Sequence, residues 1–430
     1  EEVLKDIENR YQVKLNYPSD LVEGKILDYA NWRFRPTAEE TLRDVLAPFD
    51  MAAQDQGNGR FKIKMFEYHR RSVEDGSKWV EYLSSKYDDQ SSWEERKASL
   101  KVCFLEALGL ENIPKWASQK PIIVNRRKYD GYVVENVALE TLPGVYVMGS
   151  VYKPIKIKGK IPVIVSPNGH FADGRYNPDV QARCAMLAQM GAIVMNYDLF
   201  AWGESALQFE PASHRTSLAM VIQFLNGHRV LDYLLSMKEA DPRRVGITGG
   251  SGGGSQTMLL GAMDSRYTVS VPAVMLSSYH SGGCPCESGR PIHLCEGGTS
   301  NVEIASMMAP KPSLIISDGG DWTAHVPEIE FPAVQRIYGF YGKKERVKNV
   351  HLPNERHDYG INKRTAMYDF MAEHLQLATI TDEKGNWNES KCVIESADQM
   401  YVFDNSREHL PKGALQSFKE LEVLSSSMFD

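Results

Sequence analysis

"VGITGGSGGGSQTM" (residues 245–258) decides how the second half of this chain is read. Five glycines, at positions 249, 250, 252, 253 and 254, surround Ser251. Gly/Ser-rich runs are most often flexible linkers with polar flanks. These flanks are not polar. "RRVGIT" ahead of the glycines ends as a short apolar run of buried-strand type, and "SQTMLLGAM" behind them has helical spacing. The glycines therefore belong to a strand-to-helix junction. Only glycine fits there, because the turn is sharp and the chain passes close to its neighbours.

The same alternation continues on both sides. Apolar strands "IPVIVSP", "AIVMNYD", "RRVGIT", "TVSVPAVMLSS", "SLIISDG" and "VKNVHLP" are separated by helical patterns such as "PDVQARCAMLAQM", residues 213–238, "EIEFPAVQRIYGFYG" and "RTAMYDFMAEHL". "YVVENVALE" and "GVYVMGSVYKP" add two earlier strands. This period predicts an α/β fold, a mostly parallel twisted sheet with helices on both faces. Ligands of such sheets sit at the carboxyl ends of the strands. After "VGIT" stands Gly249-Gly250-Ser251-Gly252-Gly253, a G-x-S-x-G nucleophile elbow. After "SLIIS" stand Asp318 and Asp321, and after "VKNVHLP" stands His357. The chain order Ser…Asp…His is that of α/β-hydrolases.

A serine hydroxyl is a poor nucleophile until a base takes its proton. His357 suits that role, with a carboxylate behind it to hold the tautomer and stabilise the imidazolium. Asp321 is the favoured acid because it lies out on the loop; Asp318 is the alternative, or a brace for the turn. The oxyanion needs two donors. One is the N–H of Gly252 at the helix start; the other comes from "NGHFADG", from His170 or Phe171, with Gly169 permitting the turn. This chemistry needs no metal or cofactor.

Composition bounds the rest. The chain has 430 residues, 42% hydrophobic and 24% charged, with net charge −7. That is an ordinary globular composition, long enough for about two or three domains. No basic stripe points to nucleic acid, and no apolar run approaches the roughly 20 residues of a membrane span. The opening "EEVLKDIENR" lacks the marks of a signal peptide, as expected of a cytosolic protein or of a mature secreted one. Of six cysteines (Cys103, Cys184, Cys284, Cys286, Cys295 and Cys392), three cluster in "GGCPCESGRPIHLCEGG". They read as inert thiols, as a loop-stapling disulfide in an oxidising compartment, or as zinc ligands with His293 or His280 helping. The C-x-C spacing is tighter than the usual C-x₂₋₄-C of structural zinc.

Three regions are expected: a small α+β unit at 1–68, a catalytic domain at 75–378, and a C-terminal extension at 379–430 packed on it, with one more strand and helix. "HRRSVEDGSK" reads as the linker after the first unit, and two amphipathic helices follow, the second with a capping box at Ser92 and Glu95. In the first unit, "TAEETLRDVLAPF" carries the capping box Thr37/Glu40, and "MAAQDQGNGRFKIKM" reads as a hairpin turning at Gly57-Asn58-Gly59. Its helix–strand–strand–helix–hairpin order, with "IENRYQVKLNY", "GKILDYANWRF" and "TAEETLRDVL", resembles the short N-terminal domain of secretins and TonB-linked receptors. That resemblance implies a periplasmic or cell-envelope setting and an envelope partner; a cytoplasmic one stays open.

Residues 120–378 resemble α/β-hydrolase carbohydrate esterases, in particular the acetyl-xylan-esterase-like group that includes pectin methylesterases of gut Bacteroidetes. The resemblance rests on "SPNGH", "NYDLFAWGES", "GGSGGGSQT", "GGCPCESGRPIH", "IISDGGDWT" and "ERHDYG". It implies Ser251, Asp321 and His357 as the triad, and a plant cell-wall polysaccharide as substrate. The favoured ester is methyl-esterified galacturonate of pectin; an O-acetyl group on xylan or pectin is the alternative. Arg290 is a candidate partner for a uronate carboxylate, since guanidinium matches carboxylate in a fork. A salt bridge with Glu287 or Glu296 is its bland alternative. Trp202 and Trp322 are candidates to stack on sugar, and His293 lies on the same loop as Arg290. Asp198 and Glu204 are expected to fix their own loop. A peptidase of the same fold and an inactive binding module are the rival readings.

Overall fold

The structure is a computed structural model that describes all residues except 28, 29, 50, 66–70, 114–119, 172 and 430. Its centre is a nine-stranded sheet. The strands are β4 (Ile122–Lys128), β5 (Tyr132–Leu142), β6 (Val145–Pro154), β7 (Ile161–Pro167), β8 (Ile193–Tyr197), β9 (Ala240–Gly250), β10 (Val269–Ala273), β11 (Ser313–Asp318) and β12 (Val347–Leu352). They lie in the order β12-β11-β10-β9-β7-β8-β6-β5-β4. From β8 to β12 all pairings are parallel, and β6, β5 and β4 extend the edge antiparallel. This is the mostly parallel sheet that the alternation predicts, with β4 an additional strand.

The central strands are buried along their length, so they read as continuous apolar runs rather than alternating ones. Their side chains nevertheless divide between the faces. Val163 and Val165 point into one core cluster with Met195 and Ile247, while Ile164 joins Val194, Val271 and Ile316 in the other. Helices α6 (Pro178–Gln189) and α12 (Ile361–Leu375) cover the second face. The first is covered by α7 (Ser217–Ser236), α8 (Gly252–Met263), α10 (Asn301–Ser306) and α11 (Phe331–Phe340), with α5 (Gln90–Ala107) beyond them. A one-turn helix, α9 (Pro285–Ser288), stands in the loop after β10.

Ahead of the sheet, α1 (Glu2–Tyr11), α2 (Ser19–Val22), α3 (Ala38–Leu46) and the strands β1 (Lys14–Asn16), β2 (Met51–Asp55) and β3 (Arg60–Met65) enclose a cluster of their own around Leu4, Ile7, Leu42, Val45 and Ile63. Thr37 caps α3 by accepting from Glu40 N–H, but the Glu40 carboxylate takes the Thr37 hydroxyl and not its backbone N–H, so the expected box is half made; the hairpin turns through left-handed Gly57, Asn58 and Gly59. The second strand expected before α3 is not found among the described residues; α2 and a tight turn at Ala30–Arg33 stand there instead. The expected linker begins outside the described residues, and from Val73 it is already helix α4 (Val73–Ser84), capped by Ser72. In α5 the capping box lies one turn earlier than predicted: Asp89 is the cap and Ser92 the returning residue. At the C-terminus, α13 (Ala397–Met400) and α14 (Phe418–Phe429) form, but the expected strand is reduced to a single bridge between Thr381 and Trp387.

Candidate active site

Ser251 caps α8 with φ 55° and ψ −125°, a left-handed conformation rare for a residue with a side chain. Its own N–H donates to Ala273 O at 3.0 Å, which ties the turn to β10. The glycines are there for space. A methyl group on Gly249 would lie 2.6 Å from both Gly253 O and Pro167 O, and one on Gly254 would lie 2.6 Å from Met275 Cβ. The strain therefore sits on the serine, and the glycines supply the close packing that holds it.

Beyond β11 and β12, two and three strands away, Asp321 Oδ2 and His357 Nδ1 meet at 2.5 Å. Asp321 is 2% exposed, whereas His357 keeps 28% and stays open to an incoming molecule. The other carboxylate oxygen of Asp321 accepts from Thr323 N at 2.6 Å and Thr323 Oγ1 at 2.5 Å. Burial pushes the Asp321 carboxyl up, but the bonds from His357 and Thr323 outweigh it and hold it below the ordinary carboxylate value. The alternative acid, Asp318, faces elsewhere. It pairs at 2.9 Å with the buried Lys363, which also holds Asp358 at 2.9 Å and donates to Arg356 O at 2.6 Å. Asp318 thus braces the loop that carries His357. The described hydrogen bond of the imidazole goes to Asp321, and none joins it to Ser251 Oγ. Such contacts are often long before substrate binds.

On the other side of Ser251, Gly169 packs directly on the elbow: a methyl there would lie 3.0 Å from Ser251 Cβ and 3.4 Å from Gly252 N. The Gly252 N–H is the first of α8 and has no partner within the helix. Of the two residues expected to give the second donor, Phe171 already donates its N–H to Gly169 O at 2.9 Å. His170 remains the candidate of the two.

The remaining candidates divide. Trp322 lies beside the imidazole, its ring centroid 4.5 Å from that of His357 and 4.4 Å from that of His280. Trp202 packs edge-on against His170 and His214, with Asp173, Tyr176 and Ala397 around the same hollow. Arg290 lines a cleft shared with Glu39, Arg43, Asp44 and Phe61 of the N-terminal unit. His293 is buried behind α8 and pairs with Asn301 Oδ1 at 3.0 Å; burial pushes its imidazole down to about 4. It is a core residue rather than part of the rim. Asp198 and Glu204 fix their loop as expected, through Arg175 at 3.0 and 2.5 Å. The cysteine cluster also divides: Cys295 forms a disulfide with Cys103 of α5, while Cys284 and Cys286 are free, buried and beside His170. His214 and Lys363 lie in none of the motifs quoted above, and only the fold brings them here.

No protein-family model and no curated protein matches the sequence. Among solved structures, Methylesterase BT1017 matches with 49% identity and TM-score 0.79, over 99% of this chain and 94% of that one. The chain belongs to the family of that methylesterase. It is an esterase, a carboxylic ester hydrolase on an α/β-hydrolase fold. This esterase is also similar to a glucuronoyl esterase from Solibacter usitatus, at 15% identity and TM-score 0.49 over 67% of this chain and 94% of that one. An acetyl xylan esterase from Paenibacillus sp. R4 matches at 18% identity and TM-score 0.45, over 69% of this chain and 99% of that one. No helix among the described residues of this esterase is long and apolar enough to cross a membrane.

Proposed function

We propose that this esterase acts through an acyl-enzyme on Ser251, with methyl-esterified galacturonate of pectin as its substrate. His357 takes the Ser251 proton as the hydroxyl attacks the ester carbonyl, and Asp321 steadies the imidazolium. The Gly252 and His170 N–H groups hold the developing oxyanion, aided by the positive end of α8. His357 then passes the proton to the departing methanol. Water, activated by the same imidazole, releases the sugar acid and restores Ser251. The observation that carries this reading is the elbow, with Ser251 held at φ 55° on the first turn of α8.

The methyl ester is favoured by the 49% identical methylesterase. The placement of Arg290 lends no support to uronate binding. The disulfide between Cys103 and Cys295 supports an oxidising compartment, periplasm or cell envelope. Incubation with methylated pectin and with acetylated xylan, assaying methanol and acetate separately, tests the substrate. Methanol without acetate is expected; acetate alone would overturn the methyl-ester reading. Ser251→Ala should lower kcat roughly 10⁶-fold, as loss of the serine does in subtilisin. Unchanged turnover would overturn the nucleophile.

A further inference from the structure

We propose that His170, His214, Cys284 and Cys286 bind one Zn²⁺ ion beside Ser251, as a structural clamp on the loops that form the oxyanion site. The ligand atoms of these four residues all lie within 4.8 Å of one another. His170 Nε2 is 2.9 Å from His214 Nε2 and 3.2 Å from Cys286 Sγ. Tetrahedral zinc with bonds of about 2.0–2.1 Å to nitrogen and about 2.3 Å to sulfur has ligand–ligand edges of about 3.3–3.8 Å. The cluster matches that tetrahedron to within small shifts of side chains. Two imidazoles and two thiolates are also a donor set that selects zinc.

The surroundings are those of a prepared site. His214 Nδ1 faces Phe200 O at 2.6 Å, which fixes the proton on that nitrogen and turns the Nε2 lone pair toward the cluster. His214, Cys284 and Cys286 are buried, and His170 is half-buried. On binding, the two thiols release their protons to solvent, and two thiolates cancel the charge of the ion. A neutral centre of this kind can be buried without the cost of an unpaired charge. Four protein ligands leave no position for water or substrate, so the role is structural.

The ligands come from three different loops. His170 follows β7, His214 lies between β8 and α7, and Cys284 and Cys286 open α9 after β10. The His170 ring also rests on the first residue of α8, where a methyl on Gly252 would lie 3.0 Å from its Cε1 and Nδ1. The ion would therefore hold the His170 main chain against the elbow; that functional consequence rests on the oxyanion role given to His170 above, whereas the binding of zinc does not.

The full-length protein, purified without chelator, is expected to contain one zinc per chain by elemental analysis. Cobalt in its place should give the thiolate-to-metal charge-transfer band and strong visible bands of a tetrahedral site. Cys284→Ser and Cys286→Ser should each reduce the bound metal at least tenfold. Should either variant fail to fold, thiol counting on the wild type decides. Denatured and unreduced, the chain should show four thiols, and titrating them with a mercurial should release one zinc per chain. A protein that takes up no stoichiometric zinc or cobalt, or that shows two thiols because Cys284 and Cys286 are bonded to each other, would overturn the proposal. Failure of Ser251→Ala to abolish turnover would leave the metal measurements untouched, so the two readings fail separately. Removal of the ion should lower kcat at least tenfold with KM changed less than threefold, and added zinc should restore it.

Discussion

The two aspartates after β11 differ in what they face, and that difference makes opposite predictions for the same substitution. Asp321 meets His357, so Asp321→Asn should lower kcat by about 10⁴ while leaving stability nearly unchanged, as replacement of a triad carboxylate by its amide does in serine proteases. Asp318 meets the buried Lys363, and Asp318→Asn removes one of three carboxylates around that ammonium, leaving it Asp358 and Glu355. The expected cost is about 1.5–3 kcal/mol of stability, the worth of one hydrogen bond to a charged group, with a much smaller loss in kcat. Turnover and urea denaturation of both variants check the assignment; a larger kcat loss in Asp318→Asn would reverse it. At this scale much was readable in the sequence. Strand ends pointed to Ser251, Asp321 and His357 because a parallel sheet carries its polar residues there. The partner of Asp318 was not readable, since Lys363 sits on a helix among ordinary surface-type residues and only the fold buries it. Phe171 was likewise beyond reach, because the use of its N–H depends on one loop torsion.

Elements were readable wherever their period is strong, and their ends less so. The capping box of α5 slipped by a turn because Asp89, Ser92 and Glu95 recur at the same three-residue spacing, and the sequence alone does not say which pair closes. β4 went unseen because "IIVNRRK" mixes apolar and basic residues, as an edge strand with one covered face does. The segment after α9 shows how burial, rather than residue type, sets a role. His293 reads as a rim residue by its place in a polar loop, yet it lies 5% exposed against Asn301. Its imidazole stays neutral in the folded chain down to about pH 4, whereas an unfolded one takes its proton near pH 6.5. Below pH 6.5 the unfolded chain binds the extra proton, so stability is complete above that pH and falls as pH drops toward 4, by up to ~3 kcal/mol. His293→Gln keeps a donor for Asn301 and removes the titration. Urea midpoints between pH 7.5 and 5 should fall less steeply in that variant than in the wild type; equal slopes would assign the acid sensitivity elsewhere.

Contacts between distant segments hold the whole molecule, and these are what the sequence conceals most. The C-terminal segment is tied down by buried charge: Arg175 donates to Met400 O at 2.7 Å, and Glu204 accepts the N–H groups of Val402 and Phe403 at 2.8 Å. "DLFAWGES" and residues 400–403 thus form one polar knot, although nothing in either stretch announces the other. The cysteines give the sharper case. Their clustering suggested a bridge within residues 284–295, but Cys295 reaches back 192 positions to Cys103 on α5. The same helix sends Arg96 to Glu303 at 2.7 Å and to Gly298 O at 2.7 Å, so α5 and the loop after β10 are joined by ion pair and covalent bond together. A cross-link closing so long a loop removes much of the freedom of the unfolded chain, worth about 2–5 kcal/mol. Replacing both cysteines by serine should lower stability by that amount under oxidising conditions, read as a lower denaturant midpoint. Arg96 still holds the loop in that variant, so kcat at 25 °C should stay within about twofold. Wild type in reductant should then unfold with the midpoint of the double variant. If reductant leaves the wild-type midpoint where it was, the long loop is not what the disulfide restrains, and Arg96 with Glu303 and the carbonyl of Gly298 carries the junction alone.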